Sequence, residues 1–171
     1  MKNLIELVKS SKEDLPPIYC DMDQVLCDFI GGAEKVIGMP FPQANKDERW
    51  EKIKQTKDFW ANLEWMPNAK KLYQFISRYD TKILSAASER DATSRSGKYK
   101  WLGKNTKIKR SNTNLVKRAD KQKFATTDGK PNILIDDYLK NIREWETKGG
   151  IGVHHTNVSK TISELKRLGF K

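Results

Sequence analysis

Residues 18–23 have the sequence IYCDMD, in which three apolar residues precede two aspartates that are separated by one residue. Pro16 and Pro17 come just before this run and block a helix, so Ile18–Cys20 is predicted to form a β-strand. The pattern returns at 133–137, ILIDD, where an apolar run ends in two further aspartates. In an open parallel sheet, ligands bind at the carboxyl ends of the strands, so both acidic pairs are candidates for a site.

Outward from these two stretches, apolar runs typical of strands alternate with amphipathic segments typical of helices. An α/β fold with a doubly wound parallel sheet follows, because such alternation covers both faces of the sheet with helices. Strands are also predicted at 81–85, around 107–109 and at 151–153. Helices are predicted at 46–57, after a cap at Asn68, at 89–102, from 119, at 138–147 and at 158–168. The opening segment with Leu4, Ile5, Leu7 and Val8 is amphipathic.

The length of 171 residues predicts one domain over 1–171, with residues 30–66 inserted after the first strand as a small, aromatic-rich, mainly helical segment. Hydrophobic residues make up 37% of the chain, enough for a core. No apolar run reaches the roughly 18 residues of a membrane span, and the N-terminus carries charges where a signal peptide is apolar. We therefore expect a soluble, cytoplasmic protein without membrane contact, in which Cys20 and Cys27 stay reduced.

The net charge of +11 is concentrated in one part of the chain. Residues 98–123 contain 10 Lys/Arg and 1 Asp/Glu, whereas residues 1–97 contain 15 of each. Such a segment is typical of a surface that attracts anionic substrates or a nucleic-acid backbone. A solvated basic face without a partner is the alternative interpretation.

The two acidic pairs predict a metal site. Side chains two apart on a strand point the same way, so Asp21 and Asp23 can face one small volume, to which Asp136 or Asp137 would add charge. A hard divalent cation relieves the repulsion among such carboxylates, and Mg²⁺ is the expected occupant. The alternative is that Asp136 or Asp137 caps the helix starting at Tyr138. His154 and His155 lack ligand spacing and are interpreted as structural.

Four stretches together resemble a known family. Residues 18–29 (IYCDMDQVLCDF), 59–69 (FWANLEWMPNA), 98–102 (KYKWL) and 134–137 (LIDD) are similar to motifs of the haloacid dehalogenase superfamily of phosphohydrolases, most of all the 5'(3')-deoxyribonucleotidases. The resemblance spans roughly residues 17–155. It implies a Rossmann-like core with a small cap and a magnesium-dependent phosphatase acting on deoxyribonucleoside monophosphates.

The resemblance also implies roles for individual residues. Asp21 would be the nucleophile that forms an aspartyl-phosphate, and Asp23 the general acid and base. Ser85 and Lys121 would bind the phosphoryl group, and Lys117 and Lys123 are alternatives to Lys121 in this role. The metal would be held by Asp21, the backbone carbonyl of Asp23, and Asp137 or Asp136. In the cap, Phe29 and Trp50 would line a nucleobase pocket, whereas Phe59 and Trp60 are interpreted mainly as packing.

Two features depart from the family pattern, and one is the spacing from Lys121 to Asp136, which is longer than the family usually has. Gln24 stands where these enzymes commonly have Gly, which predicts either a different turn after Asp23 or a glutamine side chain that reaches into the pocket. Two alternatives to a mononucleotide phosphatase remain: an enzyme for phosphorylated nucleic-acid ends that uses the basic segment 98–123, and an inactive module that only binds nucleic acid.

Overall fold

The computed structural model describes residues 14–171, so the predicted amphipathic segment at Leu4–Val8 lies outside the described residues. Within that range the strands are β1 (Ile18–Cys20), β2 (Thr81–Ala86), β3 (Thr113–Val116), β4 (Thr126–Thr127), β5 (Lys130–Pro131), β6 (Ile133–Asp136) and β7 (Ile151–His154). Five of them form one sheet in the order β3-β2-β1-β6-β7, and all neighbours in it are parallel. β4 and β5 form a separate antiparallel pair.

The third strand of the large sheet was predicted in the wrong place. It was expected around Lys107–Lys109, whereas β3 begins at Thr113. In β3 the alternate residues Thr113 and Leu115 are buried, and Leu115 pairs with Ser85 of β2. Lys107 and Lys109 are exposed, because a single isoleucine between two lysines offers too little apolar surface to enter the sheet.

In residues 14–171, six α-helices accompany the sheet: α1 (Phe29–Ile37), α2 (Lys46–Gln55), α3 (Ala69–Ile76), α4 (Thr93–Asn105), α5 (Leu139–Thr147) and α6 (Val158–Arg167). The helix predicted from residue 119 is a 3₁₀ helix at Arg118–Phe124. The cap predicted at Asn68 is wrong. Asn68 has a left-handed backbone (φ 62°) and its side chain makes no capping bond, whereas an N-cap residue normally has an extended backbone.

The sheet is covered on both faces, which confirms the doubly wound fold. Ile18 and Cys20 of β1 pack into one hydrophobic cluster, and Tyr19 between them packs into a second, smaller one. The second cluster includes Trp145 of α5, whose ring meets the Tyr19 ring edge-on at 5.7 Å. Along β1 the side chains therefore alternate between two helical layers. No helix of residues 14–171 has both the length and the apolar character that a membrane crossing requires.

The chain between β1 and β2 carries α1, α2, a 3₁₀ turn at Trp60–Asn62 and α3. The turn packs closely on α4. A side-chain carbon on Gly97 would lie 2.4 Å from Cβ of Trp60, so only glycine allows this approach. The indole N–H of Trp60 also donates to Oδ2 of Asp91 at 2.8 Å, just ahead of α4. The inserted segment is thereby attached to α4.

Candidate active site

The site lies where the strand order reverses. From the central strand β1, the chain continues to β2 and β3 on one side and later returns to β6 and β7 on the other. β1 and β6 are parallel neighbours, and the backbone N–H of Asp21 donates to the carbonyl of Ile135 at 3.0 Å. A reversal of this kind opens a crevice at the carboxyl ends of the strands. The two acidic pairs found in the sequence therefore meet at this crevice.

Lys121 joins the two pairs. Its Nζ lies 3.1 Å from Oδ1 of Asp21 and 2.8 Å from Oδ2 of Asp136, and all three side chains are buried. Burial alone would lower the pKa of Lys121, but the two carboxylates outweigh it and the pKa is raised. Lys121 is therefore a cation at neutral pH.

The two alternative lysines lie elsewhere. Lys117 and Lys123 are exposed and pair with Glu89 and Asp120 on the surface. Of the three lysines that the sequence left open, Lys121 alone contacts the acidic pairs in residues 14–171.

The oxygen donors fit a hard divalent cation. One carboxylate oxygen from each of Asp21, Asp136 and Asp137 lies within 4.8 Å of the other two. Asp137 is half-buried, and burial together with the charges of Asp21 and Asp136 raises its pKa to about 7. Lys121 does not neutralise all three carboxylates, so the cluster retains negative charge that an oxygen-ligated cation would compensate.

Asp136 and Asp137 differ in their hydrogen bonds. Asp136 is fully buried and accepts bonds from Lys121, from the side chain of Asn141 at 3.0 Å and from the backbone N–H of Tyr138 at 2.9 Å. The alternative interpretation of this pair as a helix cap is wrong, because α5 begins at Leu139 with Tyr138 in the N-cap position and no side chain caps it. Asp137 retains more freedom to bind a ligand.

A second lysine reaches the site from α4. Nζ of Lys98 lies 2.9 Å from Oδ2 of Asp23 and 3.2 Å from Oγ of Ser85, and Lys98 is 2% exposed. Burial raises the pKa of Asp23, and the charge of Lys98 opposes this effect. The other carboxylate oxygen of Asp23, Oδ1, is buried without a hydrogen-bond partner. Asp23 is thus held on one side and free on the other.

Lys98 was not assigned a role from the sequence, although a signal was present. Along α4 the buried positions are Ser94, Gly97, Lys98, Trp101 and Leu102, which form one stripe of helical spacing. A lysine within the buried stripe of a helix needs a charged or polar partner. The pattern alone does not identify that partner, because Asp23 is 75 residues away in sequence.

The predicted pocket residues Phe29 and Trp50 lie in an aromatic cluster with Trp60. The ring centroids are 5.2 Å apart for Phe29–Trp60, 6.0 Å for Phe29–Trp50 and 6.5 Å for Trp50–Trp60, with the rings within 28° of parallel. A base between two rings needs two gaps of about 3.5 Å each, so none fits inside this triangle. Trp60 is the ring next to the charged residues, since Nζ of Lys98 lies 5.2 Å from its centroid. Trp60 is only 3% exposed, so a ligand would stack on an outer face of the partly exposed Phe29 or Trp50.

The side chain of Gln24 does not reach the acidic cluster. Its backbone after Asp23 is left-handed (φ 61°), and its side chain bonds Ile30 and Met66 and not the aspartates. Oε1 accepts from the backbone N–H of Ile30 at 2.9 Å and so satisfies an amide in the first turn of α1. The glutamine thus makes the turn that glycine favours and stabilises the next helix.

The charge of segment 98–123 is divided among different environments. Lys98 and Lys121 lie at the site. Four others make ion pairs: Lys100 with Asp58, Lys117 with Glu89, Arg118 with Glu144 and Lys123 with Asp120. The segment is therefore not one uniform basic surface. Of the two histidines, the ring of His155 bonds Thr161 and that of His154 bonds the carbonyl of Asp137.

Comparisons with known proteins give similar solved structures but no match to a family model or a curated protein. The structure is similar to a hydrolase from Pseudomonas syringae, with a TM-score of 0.49 and 16% identity over 91% of this chain and 90% of that one. It is also similar to a haloacid dehalogenase-like family hydrolase from Streptococcus pneumoniae, with a TM-score of 0.46 and 12% identity over 87% and 90%. These likenesses are too distant to assign an activity.

Proposed function

We propose that the protein is a magnesium-dependent phosphomonoesterase of the haloacid dehalogenase type. One observation carries the proposal: two carboxylate–lysine pairs, Asp21 with Lys121 and Asp23 with Lys98, lie at the carboxyl edge of a parallel sheet. A phosphoryl group requires a nucleophile, a proton donor and cations around its oxygens. These four side chains and the hydroxyl of Ser85 supply all three.

The proposed reaction has two steps. A carboxylate oxygen of Asp21 attacks phosphorus, the bond from phosphorus to the ester oxygen breaks, and Asp23 gives its proton to that oxygen. Water then attacks the aspartyl-phosphate while Asp23 takes up one of its protons, which releases phosphate and restores Asp21. Lys121, Lys98 and Ser85 would bind phosphoryl oxygens throughout.

Magnesium would be held by Asp21, Asp137 and Asp136 with the backbone carbonyl of Asp23. When bound, it would supply charge neutralisation at the phosphoryl oxygens. The mixed role of Asp21, as a nucleophile and a ligand, needs only that one of its oxygens remains free for phosphorus.

The proposed substrates are deoxyribonucleoside monophosphates. The supporting feature is the aromatic cluster, whose member Trp60 lies beside Lys98. A nucleobase stacked on an outer ring face would contribute about 1–3 kcal/mol while its phosphate occupies the charged site. Arg49, whose guanidinium lies 4.0 Å from the Phe41 ring, is a further cation in the same inserted segment.

The test is phosphate release from 5'- and 3'-deoxyribonucleotides, ribonucleotides, a simple aryl phosphate and a 5'-phosphorylated oligonucleotide, each with Mg²⁺ or with chelator. We expect release from mononucleotides that chelator abolishes and that Asp21→Asn reduces to background. Asp120→Asn, a surface carboxylate paired with Lys123, is the matched control and should keep full activity. If no substrate releases phosphate, the proposed phosphatase activity is contradicted. If the oligonucleotide releases phosphate faster than the mononucleotides do, mononucleotides are contradicted as the proposed substrates.

A further inference from the structure

Helix α3 carries a basic groove on its outer side. The helix buries Ala69, Leu72, Phe75 and Ile76 and exposes its other face. Between this face and α6 lies a groove of about 470 Å³. Its charged and polar lining residues are Lys71, Gln74, Arg78, Ser159, Ser163 and Lys166. Three cations and three neutral hydrogen-bond donors thus converge on one groove without an acidic residue in its lining.

The cations of this groove are not neutralised. Lys71, Arg78 and Lys166 are exposed, and within residues 14–171 none of them forms an ion pair. Arg78 is nevertheless ordered, since its Nε donates to the carbonyl of Phe75 at 3.3 Å and its guanidinium lies 4.8 Å from the Phe75 ring. Its terminal nitrogens remain for a ligand.

A second groove on the opposite side of α3 repeats this chemistry. It contains Lys107 and Lys109, with the neutral groups of Tyr73, Ser77 and Asn112. Its acidic lining residue Asp80 pairs with Lys82 at 2.8 Å. Neither Lys107 nor Lys109 has an ion-pair partner in the part of the chain that the structure describes. Cations therefore flank α3 on both sides.

We propose that this α3 surface, defined by Lys71, Arg78, Lys107, Lys109 and Lys166, binds the phosphate backbone of a nucleic acid. The two grooves lie on opposite sides of a helix whose diameter with side chains is about 10–12 Å, so one small phosphate does not reach both grooves, whereas a polyanion does. Lys and Arg together with Ser, Asn and Gln donors are the groups that contact phosphates and sugars in nucleic-acid complexes. The binding would be sequence-independent, because contacts to phosphates and sugars carry no information about the bases.

The charge and polarity of the surface favour a nucleic acid over a membrane. A membrane-binding face combines cations with exposed apolar anchors. The exposed large apolar residues of the described chain are Met39, Tyr138 and Leu139, none of which lines either groove.

The surface is separate from the candidate active site. The second groove reaches Thr81, the first residue of β2, and Asn112, which precedes β3, so it opens at the amino ends of the strands. Asp21, Ser85 and Asp136 lie at the carboxyl ends. A bound backbone therefore would not occupy the acidic cluster, and this inference does not depend on the proposed phosphatase activity.

The test is fluorescence anisotropy with a labelled single strand and its duplex, at a series of salt concentrations between about 50 and 200 mM. The triple variant Lys71→Gln/Arg78→Gln/Lys166→Gln should bind more weakly and should lower the slope of log K against log salt by about one per removed cation. The matched control is Lys140→Gln/Arg143→Gln/Lys148→Gln, which removes three exposed cations on and after α5. This control variant should keep most of the wild-type slope of log K against log salt.

Circular dichroism and phosphate release check that both triple variants fold and keep any activity of the wild type. The proposal is overturned if the triple variant binds like the wild type, or if the control loses as much slope as the triple variant. Equal or tighter binding of the wild type to phosphatidylserine vesicles or to polyglutamate also overturns it, because the surface would then not select a nucleic acid.

Discussion

The ammonium of Lys98 lies 2.9 Å from a carboxylate oxygen of Asp23, although the two residues are 75 positions apart. The contact connects α4 to the loop after β1, and it directs a cation to the carboxyl that the proposed reaction uses as acid and base. The same ammonium faces the Trp60 ring at 5.2 Å. The charged site and the aromatic cluster thus share one side chain.

Replacing Lys98 tests this link. Lys98→Met removes the cation from Asp23 and Ser85, and we expect phosphate release to fall about 10²- to 10³-fold, the effect of removing one preorganised donor. The measurement is kcat/KM for the best mononucleotide, with circular dichroism to verify folding. Lys100→Met, two residues along the same helix at an exposed position, is the control. Wild-type activity in Lys98→Met would show that the contact is only structural.

Magnesium should stabilise the folded protein independently of turnover. Only the folded chain brings Asp21, Asp136 and Asp137 together, so Mg²⁺ should stabilise it and raise Tm. At a Mg²⁺ concentration a hundred times Kd, the free energy of unfolding should increase by about 2.7 kcal/mol. Asp137→Asn should remove most of the increase. Asp128→Asn is the control, since Asp128 is exposed and asparagine tolerates its left-handed backbone. An equal Tm increase in Asp137→Asn would exclude this residue as a ligand.

Asp91 should contribute strongly to stability. It is buried, accepts from the Trp60 indole and accepts from the backbone N–H of Thr93 at the start of α4. Asp91→Ala loses the bond from the backbone N–H of Thr93, worth about 1 kcal/mol, and leaves a buried indole N–H unpaired, at about 1–3 kcal/mol. Urea unfolding should therefore show a loss of about 2–4 kcal/mol. Asp47→Asn, an exposed partner of Arg90, should change stability far less.

The effect of Asp91 should depend on pH. Burial alone would raise the pKa of Asp91, but the bonds from Trp60 and Thr93 outweigh it and the pKa is lowered. The stabilisation is then complete above the unfolded value of about 4 and is lost as the pH falls through the lower folded value. The difference in unfolding free energy between wild type and Asp91→Ala should shrink in acid, and a pH-independent difference would contradict the assignment.

Gln24 allows backbone strain and side-chain bonding to be separated. Gln24→Ala loses the bond to Ile30 and keeps a left-handed residue with a β-carbon, so it should cost about 1 kcal/mol. Gln24→Gly also loses the bond but relieves the left-handed strain of about 1–2 kcal/mol, and should remain near wild-type stability. Equal losses of unfolding free energy in the two variants would mean that the turn carries no strain.

Much of the fold and about half of the candidate site could be predicted from the sequence. The apolar runs ending in Asp21 and Asp136 predict both strands, because a buried strand needs only a short continuous apolar segment and the acidic residues follow directly. The alternation of strands and helices predicts the two covered faces, since each element has to bury one side. Because β1 and β6 are parallel neighbours, the residues that follow them, Asp21, Asp136 and Asp137, lie at the same carboxyl edge of the sheet.

Other features depended on contacts between distant residues. A lysine in a buried helical stripe is visible in the sequence, but only the packing of α4 against the β1 loop pairs Lys98 with Asp23. Likewise, segment 98–123 is uniformly basic as a string, yet its cations divide among the site, surface ion pairs and the α3 surface. Local sequence determines which elements form and which face is apolar, whereas the partner of each charge is decided by the assembled fold, because electrostatic interactions depend on distance in space and on burial.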